Sequence, residues 1–154
     1  MIPRTWIKQW TKLREVTDYI VIHARLAPTS AVEIDGWFRQ KGYLQCGFHF
    51  CISRGGAHET RSAQSIGAHL PGYDQRSVAV AILGWDGQSP LTDDQLRKVA
   101  EDTIDHVASL YPDAEIIPAT AGFTARADYT ELETFVSTLN ERRRRREGSV
   151  STSH

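Results

Sequence analysis

The run "SVAVAILGW", Ser77–Trp85, decides how this chain folds. No charge interrupts it, Val and Ile recur along it, and it closes on a glycine and a tryptophan. An unbroken apolar run of this length reads as a strand covered on both faces, at the centre of a sheet.

The neighbouring segments supply the rest of that sheet and its cover. Upstream, "IGAHLPGYDQRS", Ile66–Ser77, is rich in turn residues and reads as a loop. Before it, "GFHFCISRGG", Gly47–Gly56, is a strand entering a glycine turn, and "AHETRS" leaves that turn, so a hairpin is predicted. "DYIVIHA", Asp18–Ala24, is a further strand. Between them lies a helix in "TSAVEIDGWFRQKGY", with Ser30 as cap, Val32, Trp37 and Phe38 as an approximate stripe and Gly42 as the stop.

Downstream, "LTDDQLRKVAEDTIDHVASLYP" is the clearest helix. Thr92 and Gln95 have capping-box spacing. Leu96, Val99, Ala100, Ile104, Val107 and Leu110 form an apolar stripe, and Pro112 ends it. "AEIIPAT" reads as a strand and "YTELETFVSTLNERRRRR" as a last helix running into the polar "EGSVSTSH". The order β–α–β–β–β–α–β–α predicts an α/β (α+β) fold, a central mixed sheet flanked by helices.

At 154 residues the chain suits one domain with one core. We divide it into an N-terminal extension, 1–12, a domain, 13–140, and an Arg-rich tail, 141–154. No apolar run approaches the roughly 20 residues of a membrane helix, and no membrane partner is expected. "MIPRTWIKQWTKLREVTDY" lacks the apolar centre of a signal peptide, so synthesis in the cytosol is expected, with incorporation into a virion as a further destination. The net charge of −1 gives no global field for nucleic acid. Cys46 and Cys51, set on one strand at an odd separation, are expected on opposite faces and unpaired.

The stretches "YIVIHARLAPTS", "GWFRQKGYLQCGFHFCISRGGAHETRS" and "IGAHLPGYDQRSVAVAILG" together resemble the zinc-dependent N-acetylmuramoyl-L-alanine amidases. That family includes phage lysozymes of the amidase type and the peptidoglycan recognition proteins. The resemblance spans about residues 13–138. It implies hydrolysis of the amide between the lactyl group and the stem peptide. A zinc ion on three protein ligands would polarise the carbonyl and activate water.

Carried over residue by residue, the resemblance puts the first zinc ligand at His23. The tyrosine of its "G-Tyr-His-Phe" motif falls on Phe48, which has no hydroxyl to donate to an oxyanion. In "TAGFTARAD" the second ligand falls on Thr120 instead of a histidine, the third on Asp128, and the helper lysine on Arg126. A threonine hydroxyl is a poor zinc ligand, and arginine does not give up a proton near neutral pH. The resemblance therefore implies the amidase fold with a dismantled centre. No cofactor is expected, or zinc if the ligand set is rearranged around His23, His49 or His69 with Asp128.

Each remaining candidate has a functional and a plain reading. His23 and His49 are either old site residues or packed, hydrogen-bonded histidines. His69 and Tyr73 lie in the loop that borders the family's substrate groove and are candidates to line it, with a solvated loop and turn packing as the alternatives; Arg76 is a candidate to hold a carboxylate of a stem peptide, with a plain surface arginine as the alternative. Trp6 and Trp10 suit an interface or a fold back onto the domain. Arg142, Arg143, Arg144, Arg145 and Arg146 suit phosphates or an acidic protein face, or the solvated end of a helix.

Three functions stay open. One is a catalytically inactive, phage-derived amidase-fold protein that binds a protein partner, as a virion or tail part or as a regulator of an RNA polymerase. Another is a peptidoglycan-fragment-binding module. The third is a working amidase with rearranged zinc ligands.

Overall fold

The computed structural model describes residues 12–120 and 129–151. Its elements follow the predicted order: β1 (Tyr19–Arg25), α1 (Ala31–Gln40), β2 (Phe50–Ser53), β3 (Gly56–Glu59), β4 (Ser77–Leu83), α2 (Asp94–Leu110), β5 (Glu115–Pro118) and α3 (Thr130–Ser151). The fold is α+β, with a mixed sheet in the order β3-β2-β4-β1-β5. β2, β4, β1 and β5 run parallel, and only β3 runs against them. β4 is central and buried along its whole length, as its unbroken apolar run requires.

Alternation along β4 sorts the two faces. Val78, Val80 and Ile82 join Ile20 and Ile22 under α2 and α3, with Leu96, Ala100, Ile104, Leu132 and Val136. Ala79, Ala81 and Leu83 face α1, where Ile34, Phe38, Cys46, Phe48 and Cys51 pack. The alanines are small enough to let the aromatic rings of that layer approach the sheet. Gly47 is required by the same crowding: a Cβ there would run into the carbonyl oxygen of Ala68 and the ring of Phe38.

Several local expectations are corrected. Cys46 lies in the bend before β2 rather than on the strand, so parity does not separate it from Cys51; the two sulfurs sit 3.9 Å apart in one core layer as free thiols. α2 is capped by Asp93, whose carboxylate accepts from the Leu96 amide, and Gln95 instead donates to the Arg54 carbonyl. In α1 the buried stripe is Ile34 and Phe38, while Val32 points to solvent. Ser30 does cap α1, through the Glu33 amide.

The line drawn between residues 140 and 141 falls inside α3. Trp6 and Trp10 lie outside the described residues, as do Arg126 and Asp128. No helix among the described residues is long and apolar enough to cross a membrane.

Candidate functional site

Residues 19, 21, 23 and 25 of β1 share the sheet face that carries α1, because strand side chains alternate. Tyr19 and Val21 pack with Leu70, Tyr73 and Ala119 on that face. His23 and Arg25 follow at the carboxyl end of the strand, where parallel sheets usually place ligands. There they border a cavity of about 400 Å³, with Asp86, Ala119, Tyr129 and Leu132 on its other walls. β5 ends alongside: the Ala119 amide donates to the Ile22 carbonyl, so Thr120 directly follows a residue of the cavity wall.

The three candidate histidines form one buried group. The ring centres of His23 and His69 are 5.0 Å apart, and those of His49 and His69 are 6.3 Å apart. Burial holds all three neutral. It lowers His23 to about 3, aided by the charge of Arg25. It lowers His49 to about 4 and His69 to about 2. The approach of Asp74 to His69 at 3.5 Å is therefore no ion pair. Asp74 serves instead by accepting the amides of His69 and Leu70.

Hydrogen bonds fix which nitrogens carry protons. The Tyr73 carbonyl can only accept, so the Ser77 hydroxyl, 2.7 Å away, donates to it. Ser77 Oγ must then accept from His69 Nε2, at 2.9 Å. Neutral His69 thus presents a bare Nδ1, and His23 Nε2 donates its proton to it at 2.9 Å. Spacing alone would suggest a nucleophile, a base and an orienting group. The protons run the wrong way, however, and Ser77 is fully buried, so the chain positions His23 rather than activating a hydroxyl.

His49 is wholly structural. Its Nδ1 accepts the Ala79 amide and its Nε2 donates to the Ser65 carbonyl. Neither His49 nor His69 has a lone pair left for a metal, so neither supplies the rearranged ligand set considered above. Only Nδ1 of His23 remains, in the tautomer of a ligating histidine whose other nitrogen is held by a second residue.

A catalytic zinc takes three protein donors. Of the three positions implied by resemblance, His23 is a donor, Thr120 is a hydroxyl, and Asp128 lies outside the described residues. Among the described residues no group of three or more His, Cys, Asp or Glu is placed to hold a metal ion. Those residues do not by themselves fit the ion.

Phe48 fills its position as core, 2% exposed, with its ring 4.8 Å from that of His23. Tyr73 packs edge-on to Tyr19. Arg76 pairs with Asp18 at 3.1 Å and lies over Tyr19, away from the cavity. The arginine run is partly spent within the fold. Arg142 bridges Glu101 and Asp105 of α2, and Arg146 reaches Asp105. Arg143 donates to the carbonyl of Ala108 in the last turn of α2 and to those of Tyr111, Pro112 and Ala114 beyond its end. Arg145 pairs with Glu141 in its own helix, and Arg144 is exposed.

Arg25, Asp86 and Tyr129 of the cavity wall, and Ser77 behind it, escaped the sequence reading. Arg25 carried a legible signal, since it stands two places after His23 on the same strand. Ser77 carried none: its link to His23 runs through His69, 46 residues from His23.

The chain has relatives in both sequence and structure. No family model matches it. It is 37% identical over 78 residues to the endolysin of Escherichia phage T7, a match covering 47% of this chain and 52% of that protein. The chain thus spans about half the length of the curated relatives it matches. In structure it is similar to Drosophila PGRP-LB, with a TM-score of 0.70 at 20% identity, covering 82% of this chain and 84% of that one. A PGRP-LB variant is described in complex with tracheal cytotoxin. The N-acetylmuramoyl-L-alanine amidase LysC from Clostridium intestinale gives a TM-score of 0.68 at 18% identity, covering 86% and 92%. The resemblance carried by the motifs therefore returns in both comparisons: the sequence relatives are phage endolysins, and the fold is that of the amidases and peptidoglycan recognition proteins.

Proposed function

We propose that the cavity beside His23 binds peptidoglycan fragments and that the chain does so without the zinc hydrolysis of a working amidase. One observation carries this reading. The cavity persists at the end of β1, while the residue following its Ala119 wall, where resemblance calls for a histidine, is Thr120. Phe48 points the same way, since it brings no hydroxyl beside the His23 ring. The fold is shared with PGRP-LB, of which a variant is described with tracheal cytotoxin bound. Binding needs only the cavity and its polar edge, whereas hydrolysis needs a full donor set.

A second reading has its own support. The sequence relatives are endolysins, and His23 keeps the tautomer of a metal ligand. On that reading Asp128 and a further donor complete a zinc site, and the chain cleaves.

Metal analysis of the purified chain, with calorimetric titration of a disaccharide–tetrapeptide, separates the two. Substoichiometric zinc, muropeptide binding without stem-peptide release, and zinc gained by Thr120→His support the first. One tightly held zinc with release of stem peptide overturns it in favour of the second.

A further inference from the structure

We propose that Arg25 is the carboxylate-recognising residue of the cavity, pre-positioned on Trp37 and left, among the described residues, without a carboxylate partner, so that an acidic group of the ligand takes that place. The proposal deepens the reading of the cavity as a peptidoglycan-fragment site and rests on it for the identity of the ligand, whose stem peptide carries free carboxylates.

Most of the other described arginines are paired with a carboxylate. Arg39 pairs with Asp35 at 2.7 Å, Arg54 with Asp93 at 2.7 Å, and Arg97 with Asp94 at 3.0 Å, although Arg39 and Arg54 are well exposed. Arg25 is half-buried, which makes a counter-ion worth more to it than to them. Among the described residues its guanidinium has no carboxylate within ion-pair reach and no hydrogen-bond acceptor. Arg25 itself lines the cavity.

Its position is nevertheless fixed. The guanidinium lies 4.7 Å from the centre of the Trp37 ring and 6.0 Å from that of Phe48. Stacking on an aromatic face holds the planar group and offsets part of its lost hydration. It leaves the N–H fork at the edge of the plane for a two-point contact with a carboxylate. The Lys41 ammonium lies 5.5 Å from the same indole and adds positive potential.

Asp86, the acidic residue of the cavity wall, does not neutralise Arg25. Its Oδ1 is committed to the amides of Gln88 and Ser89 and to the Ser89 hydroxyl. The cavity therefore presents a half-buried cation on a wall that also carries His23, Asp86, Gln88 and Tyr129, and a ligand carboxylate that reaches Arg25 is favoured over its neutral isostere.

The test titrates the full chain with a disaccharide–tetrapeptide muropeptide and with its fully amidated counterpart. Wild type, Arg25→Gln and Arg25→Lys are compared. Wild type should prefer the free acid by roughly tenfold, the usual weight of a charged hydrogen bond. Arg25→Gln should bind both forms as wild type binds the amide, and Arg25→Lys should restore part of the preference. Retention of the preference by Arg25→Gln, or equal loss of both forms, overturns the proposal while leaving the cavity a muropeptide site.

Should neither muropeptide bind wild type, the cavity reading itself fails. Acetate then decides for Arg25, read on the Trp37 indole N–H resonance. A shift in wild type that Arg25→Gln abolishes upholds the carboxylate site, and no shift in wild type overturns it.

Discussion

Nε2 of His23 lies 2.9 Å from Nδ1 of His69, and the proton between them belongs to His23. The direction is imposed from the far end, by a carbonyl that can only accept. Tyr73 orients Ser77, Ser77 orients His69, and His69 orients His23. In ¹⁵N spectra Nε2 of His23 should accordingly appear protonated and its Nδ1 bare. Ser77→Ala removes the acceptor that fixes this order. It should cost about 2 kcal/mol in denaturant unfolding, the penalty for a buried donor left unsatisfied. Unchanged His23 shifts in that variant would break the chain of reasoning.

The same burial makes stability depend on pH. His23, His49 and His69 are lowered to about 3, 4 and 2, so the folded state keeps them neutral. Unfolded, each takes up a proton near its ordinary value of about 6.5. The unfolded chain then binds more protons wherever the pH lies between the two values. Stability should be complete above about pH 6.5 and fall as pH drops, by about 1.4 kcal/mol per unit for each histidine. Urea midpoints measured from pH 7 to pH 5 should decline steeply; a flat profile would mean that the three rings are not buried neutral.

The arginine run divides into docked and free residues. Arg143 satisfies carbonyls in the last turn of α2 and just past it, where a helix leaves acceptors without partners. Arg143→Met should destabilise by roughly 1–3 kcal/mol. Arg144→Met, at an exposed position, should stay within about 0.5 kcal/mol. Equal effects at the two positions would show that α3 is not docked as described.

Gly47→Ala tests the layer beneath α1. The added methyl meets the Ala68 carbonyl, which is backbone and also hydrogen-bonded to this segment by its own amide at 3.1 Å. A loss of about 3 kcal/mol or more is expected, at the upper end for overpacking. The His23 ring signals should move too, because Phe48 follows Gly47 and touches that ring. A variant as stable as wild type would show that the 66–68 loop gives way freely.

By itself the sequence determined the order of elements and the central strand. Apolar periodicity is local, and Ser77–Leu83 could not be anything but a strand covered on both faces. The resemblance also assigned Phe48 and Thr120 to positions of its centre, an assignment read from the motifs alone. Tertiary structure decided everything that depends on partners far along the chain. Cys46 and Cys51 share a layer because the chain bends before β2, which parity along a strand does not foresee. Half-burial of Arg142 and Arg143 follows from the docking of α3 on α2, not from the run of arginines. The protonation of His23 is set by residues 46 and more positions away, through hydrogen bonds whose direction only their three-dimensional arrangement imposes.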